Sequence, residues 1–167
     1  FDRRNLGIRV AGSRCRSIVE STPQYPIMNT PISALLERKG SVVYAVPATV
    51  TIAAAVDEMN SHRIGSIVVV EDGRPIGIFT ERGVLRRVVG DGLDPKVMRV
   101  ADVMTSNLIT VSPETTIEQI MIMFAEKRCR HLPVLSNGRL VGLISIGDIS
   151  RWMAETNRAE AEHLKNY

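Results

Sequence analysis

Cysteine is scarce in this 167-residue chain: there are two, Cys15 and Cys129. So few thiols build no disulfide framework, and their sparing use suits a reducing compartment. No apolar run approaches the ~20 residues of a membrane-spanning helix, so the chain reads as cytoplasmic, with no membrane partner. No His, Cys and carboxylate cluster has metal-ligand spacing, and neither a P-loop nor a Gly-x-Gly-x-x-Gly cradle occurs. Cys129 lies two residues from His131, but residues alternating at the start of a strand usually send one of them inward. Nothing else pairs a nucleophile with a base. These absences leave no metal site and no catalytic residue, and the chain reads as a protein other than an enzyme.

The net charge of +3 suggests an anionic partner until it is located. Arg3, Arg4, Arg9, Arg14 and Arg16 face only Asp2 and Glu20 within the first twenty residues, so the excess sits there. The rest of the chain is balanced, which argues against a broad nucleic-acid footprint. Three readings are open for residues 1–27: a flexible tail, an extension that folds against the rest, or an Arg-rich, acid-poor organelle transit segment.

What the chain does contain is a duplication. Gly77-Ile-Phe-Thr80-Glu-Arg-Gly83 aligns with Gly142-Leu-Ile-Ser145-Ile-Gly-Asp148 at an offset of 65 residues. The same offset carries Val46 onto Val111, Ile52 onto Ile117, Arg63 onto Arg128 and Asp72-Gly73-Arg74 onto Asn137-Gly138-Arg139. Two copies of one unit follow.

Each copy orders its elements alike. Thr30 caps and Pro31 opens a short helix that stops at Gly40. Ser41 to Val46 reads as a strand, and Thr51 to Asn60 as an amphipathic helix. Two strands, Ile67 to Val70 and Pro75 to Phe79, flank the Asp72-Gly73 turn, and a helix covers Glu81 to Val89. Gly90 to Pro95 is the linker. In the second copy a helix near Val100 to Met104 precedes a strand at Leu108 to Val111 and a helix from Thr115 to Lys127. Strands at Leu132 to Leu135 and Leu140 to Ile144 flank Asn137-Gly138, and a helix runs from Asp148 to about Lys165. The seven methionines read as core filling. The division is a basic tail over 1–29, a first repeat over 30–95 and a second over 96–167.

Each unit, strand-helix-strand-turn-strand-helix with a Gly-x-x-[Ser/Thr]-x-x-Asp ending, resembles a cystathionine-beta-synthase (CBS) domain. The tandem resembles a CBS pair, or Bateman module, from Thr30 to about Arg158. The resemblance implies an α/β (α+β) fold: two βαββα repeats related by a pseudo-twofold axis, sheets packed together, helices outside, and two clefts between the repeats. It implies a regulatory module that binds AMP, ADP, ATP, NAD or S-adenosylmethionine, performs no catalysis, forms a homodimer and signals to an effector protein. AMP or another adenine nucleotide, or NAD, is the expected ligand. The alternative is a ligand-free dimerisation or adaptor protein whose Arg-rich tail contacts nucleic acid.

By the family pattern Asp148 accepts from both ribose hydroxyls, which suits a carboxylate. Ser145 bonds the ribose or phosphate, and Arg130 with His131 meets the phosphate. Tyr44, Ile64, Gly65 and Leu143 surround the adenine, with Lys39 further out. Alone, Asp148 reads equally as a helix cap. The other cleft departs from the pattern: Gly83 replaces the aspartate and Gly65 the arginine, leaving Thr80, Arg82 and Cys129 as a weaker set. One competent nucleotide site is therefore expected.

Overall fold

The computed structural model describes residues 28–40 and 42–165; the expectations for the Arg-rich tail and Cys15 lie outside them. The first repeat pairs β1 (Ala45–Pro47) in parallel with β2 (Ser66–Glu71), which runs antiparallel to β3 (Arg74–Thr80). The second pairs β4 (His131–Ser136) antiparallel to β5 (Arg139–Ser145). Both hairpins close as the dipeptides predict, with φ of 49° and 75° at Asp72 and Gly73 and of 50° and 76° at Asn137 and Gly138. Positive φ at both central residues is the type I′ requirement. Both ladders slip one register at matching places, Val69/Val70 and Val134/Leu135.

The strand expected at Leu108 to Val111 shrinks to a single parallel bridge between Val111 and Val134, the counterpart of Val46 with Val69 in β1 and β2. In the first repeat the ladder continues because Val68 N–H donates to the Tyr44 carbonyl at 3.2 Å. Pro133 stands at the corresponding position and has no N–H to donate. β1 is also shorter than expected, since Val42 is exposed rather than paired.

The helices are α1 (Ile32–Lys39), α2 (Ile52–His62), α3 (Glu81–Gly83), α4 (Val100–Val103), α5 (Ile117–Lys127) and α6 (Ile146–Lys165). α1 starts one residue later than expected, with Pro31 as its cap. After α3 the chain widens into a π-helical segment, Val84–Val89, in place of the expected α-helix. The wider turn accommodates a buried Val88 together with an Arg87 that reaches Met104 and Thr105.

The repeats trade helices. Ile32, Leu35 and Leu36 of α1 lie in the core of the second repeat with Ile117, Ile120, Leu132 and Ile144. Val100 and Val103 of α4 lie in the core of the first with Ile52, Ile67 and Phe79. The first backbone N–H of each helix, which has no partner within its own helix, is satisfied by the neighbour it packs on. Ile32 donates to the Thr115 carbonyl and Ile117 to that of Thr30, while Ile52 donates to Met98 and Val100 to Val50. Glycines floor the two contacts: a Cβ on Gly77 would collide with the Met104 sulfur, and one on Gly142 would lie 2.7 Å from Leu36 Cδ2. β3 lies against β5, bringing the two strand-to-helix turns together.

Candidate ligand-binding site

β5 ends at Ser145, and α6 starts at Ile146, one residue ahead of Gly147 and two ahead of Asp148. Ser145 Oγ accepts from Asp148 N–H at 3.2 Å, and Asp148 Oδ2 accepts from Ser145 N–H at 2.8 Å and from Ser145 Oγ at 2.7 Å. The pair is thus a reciprocal capping arrangement at a helix N-terminus. Lys39, at the end of α1, donates to the same Oδ2 at 2.6 Å and to the Leu143 carbonyl at 2.9 Å. The Asp148 side chain is only 12% exposed. Burial works to raise its carboxyl, but hydrogen bonds from Lys39 and Ser145 outweigh it and hold the group below the ordinary carboxylate range.

Two cavities flank this turn. The smaller, about 350 Å³, lies between α1 and α6 and is lined by Lys39, Asp148, Arg38, Arg151 and Trp152 among others. Arg38 sits 5.5 Å over the Trp152 ring and pairs with Glu155 at 2.9 Å. The larger, about 630 Å³, runs between the two strand-to-helix turns. Gly65, Arg130, His131 and Ser145 line it as expected from the resemblance. Thr80, Arg82 and Cys129 line it too. The sequence-based division assigned these three to a separate cleft; the packing of β3 on β5 places them around the same space.

Four expected residues line neither cavity. Leu143 contributes its carbonyl to Lys39. The Tyr44 ring stacks on His62 at 3.8 Å between centroids, so one face is already covered. Ile64 packs on the first-repeat core. Gly83 is buried beneath Arg87.

The larger cavity also takes Lys127, Arg128, Thr105 and Asn107, which sequence reasoning missed. Lys127-Arg128-Cys129-Arg130 is three cations in four residues. Such a run usually marks a solvated surface, and its meaning comes from Arg128, whose φ of 51° ends α5 and turns the chain into the cleft. Arg82, Lys127, Arg128 and Arg130 therefore face Glu81 as the lone carboxylate among the described lining residues. Burial, followed by the neighbouring Arg130 charge, lowers the His131 imidazole below its usual range, which favours the neutral ring. Burial pushes the Cys129 thiol up, away from the thiolate that nucleophilic chemistry needs.

Two repeats that exchange helices and face each other across a cation-lined cleft define a paired-repeat module. The chain belongs to the CBS-domain family: the CBS domain model matches residues 27–90 and 100–155. It is similar to the CBS domain-containing protein CBSX3, mitochondrial, of Arabidopsis thaliana, with 38% identity over 122 residues, 70% of this chain and 59% of that protein's length. It is also similar to an uncharacterized 17.7 kDa protein of Acidianus ambivalens, 33% identical over 144 residues, 83% of this chain and 84% of the other. A crystal structure of a CBS-domain-containing protein from Agrobacterium tumefaciens is 40% identical, with a TM-score of 0.69 over 73% of this chain and 98% of that one. The hexameric CBS-CP12 protein of bloom-forming cyanobacteria is 31% identical, with a TM-score of 0.65 over 73% of this chain and 67% of that one. Self-assembly therefore occurs among its structural neighbours. No helix among the described residues is long and apolar enough to cross a membrane.

Proposed function

We propose that this CBS pair is a regulatory module that binds an adenine nucleotide in the cleft between its repeats. The observation that carries the reading is the convergence of Arg82 from the first repeat with Lys127, Arg128 and Arg130 from the second on one cavity of about 630 Å³. That volume lies in the range of small-molecule sites, and clustered guanidinium groups suit phosphate oxygens. Thr80 and Ser145 add hydroxyls, and Gly65 and Gly147 let a ligand approach the backbone. Asp148 lines the neighbouring cavity rather than this one, and its three hydrogen bonds all fall on Oδ2, which leaves Oδ1 to accept from a ribose at the turn between the two. AMP, ADP, ATP and NAD carry the required phosphate. S-adenosylmethionine brings a sulfonium instead and meets the wrong charge. A ligand held from both repeats biases their relative packing, which an effector protein or the partner in a homodimer reads.

Thermal unfolding with a panel of AMP, ATP, NAD, adenosine and S-adenosylmethionine tests the reading. Ligand at a hundredfold excess over Kd contributes about 2.7 kcal/mol of stability, so phosphate-bearing ligands are expected to raise the Tm and the other two to leave it nearly unchanged. No shift with any ligand, or equal shifts with all, would remove it.

A further inference from the structure

The offset of 65 makes Gly83 the counterpart of Asp148, Arg87 that of Trp152, and Gly65 that of Arg130. In the second repeat Asp148 and Trp152 line an open cavity against α1. In the first repeat the corresponding interval is crossed by one side chain. Arg87 Nη2 lies 2.9 Å from where a Cβ on Gly83 would stand. Its Nη1 donates to the Met104 carbonyl at 3.3 Å and to Thr105 Oγ1 at 3.2 Å. Met104 is the residue that sits on Gly77 as Leu36 sits on Gly142, so Arg87 reaches the exchanged helix at the place where the second repeat leaves space. The other end is altered as well. The Glu81 carboxyl carbon stands 3.4 Å from a Cβ built on Gly65, so a carboxylate occupies the neighbourhood where the second repeat presents Arg130.

The two half-sites are therefore opposite in charge. The second offers a cation for phosphate and a carboxylate for a ribose diol. The first offers the Glu81 carboxylate where the cation belongs and the Arg87 guanidinium where the carboxylate belongs. We infer that Arg87 is a built-in plug that limits the module to one nucleotide per chain. The inference rests on the nucleotide-binding reading above and assigns Arg87 the control of stoichiometry. Absence of Asp at position 83 removes one interaction; the plug removes the space as well. A carboxylate restored at 83 alone would pair with Arg87 instead of a ligand.

Calorimetric titration with AMP tests this on the wild type, Gly83→Asp, and the combined variant Gly83→Asp, Arg87→Ala. The expected result is one AMP per chain for the wild type and for Gly83→Asp, and two for the combined variant. Two per chain in the wild type, or one in a folded combined variant, would overturn the inference. Failure of the wild type to bind AMP, ATP and NAD alike would remove the nucleotide reading and the inference with it. A measurement on the wild type guards against a misfolded variant. The NMR signal of the Arg87 Nε–H should stay in place as AMP saturates the protein, while that of Arg130 moves; a shift of Arg87 comparable to that of Arg130 would mean that the plug is part of the site.

Discussion

At Asp148 one carboxylate oxygen joins three parts of the fold: the end of β5 through Ser145, the first turn of α6, and α1 through Lys39. Because its carboxyl is held below the ordinary range, folding favours the ionised form. The resulting stability is fully present above the unfolded value of about 3.9 and is lost as pH falls through the lower folded value. Thermal melts from pH 7 down to pH 2 should show this loss, and Asp148→Asn should flatten that limb while lowering stability at pH 7. Identical acid limbs would mean that the Lys39 contact contributes nothing. At this scale the Ser145–Asp148 spacing and the Arg130-His131 pair are visible in the sequence. The Lys39 contact spans 109 residues and follows only from docking α1 on the second repeat. Tyr44 was legible as an aromatic in the right stretch, but His62, the last residue of α2, covers its face. No local pattern reports that.

The two exchanged helices rest on glycines of unequal tolerance. Gly142 faces the branched, buried Leu36, with Cδ2 and Cδ1 at 2.7 and 2.9 Å from an added Cβ. Gly77 faces Met104, an unbranched and half-buried thioether that can rotate aside. Gly142→Ala is expected to cost about 1–3 kcal/mol, the usual range for overpacking, and Gly77→Ala distinctly less. Denaturant titration of both variants checks the order; equal costs would show that helix docking does not depend on these side chains. Periodicity shows that α1 and α4 each bury a face but not against which repeat, so the exchange is invisible in sequence. The hairpins were legible because Asp-Gly and Asn-Gly impose their own geometry. The reduction of the strand at Leu108 to Val111 to one bridge was not, since the cause lies in Pro133, on the strand it would have paired with. The π-helical segment after α3 was not legible either, and the contacts its Arg87 makes lie 17 and 18 residues away.

For the molecule as a whole, the exchange makes each hydrophobic core incomplete without the other repeat. Unfolding should therefore be one transition, with calorimetric and van't Hoff enthalpies equal. A fragment of residues 28–95, deprived of Val100 and Val103, should remain largely unfolded by circular dichroism. Two separate transitions would contradict the shared cores. The duplication at a constant offset made the pair legible as a pair, and the balanced charge outside the first twenty residues hid the cleft, because four cations on one cavity are offset by acids elsewhere. The central claim is that those cations bind the phosphate of a nucleotide. The most direct test is calorimetric titration of the intact chain with ATP at low and moderate salt, beside Arg130→Ala. Loss of a charge-assisted hydrogen bond of about 1.5–3 kcal/mol predicts binding roughly tenfold to a hundredfold weaker in the variant, with a wild-type affinity that falls as salt rises. Binding that is absent, or that is indifferent both to Arg130 and to salt, would contradict the account.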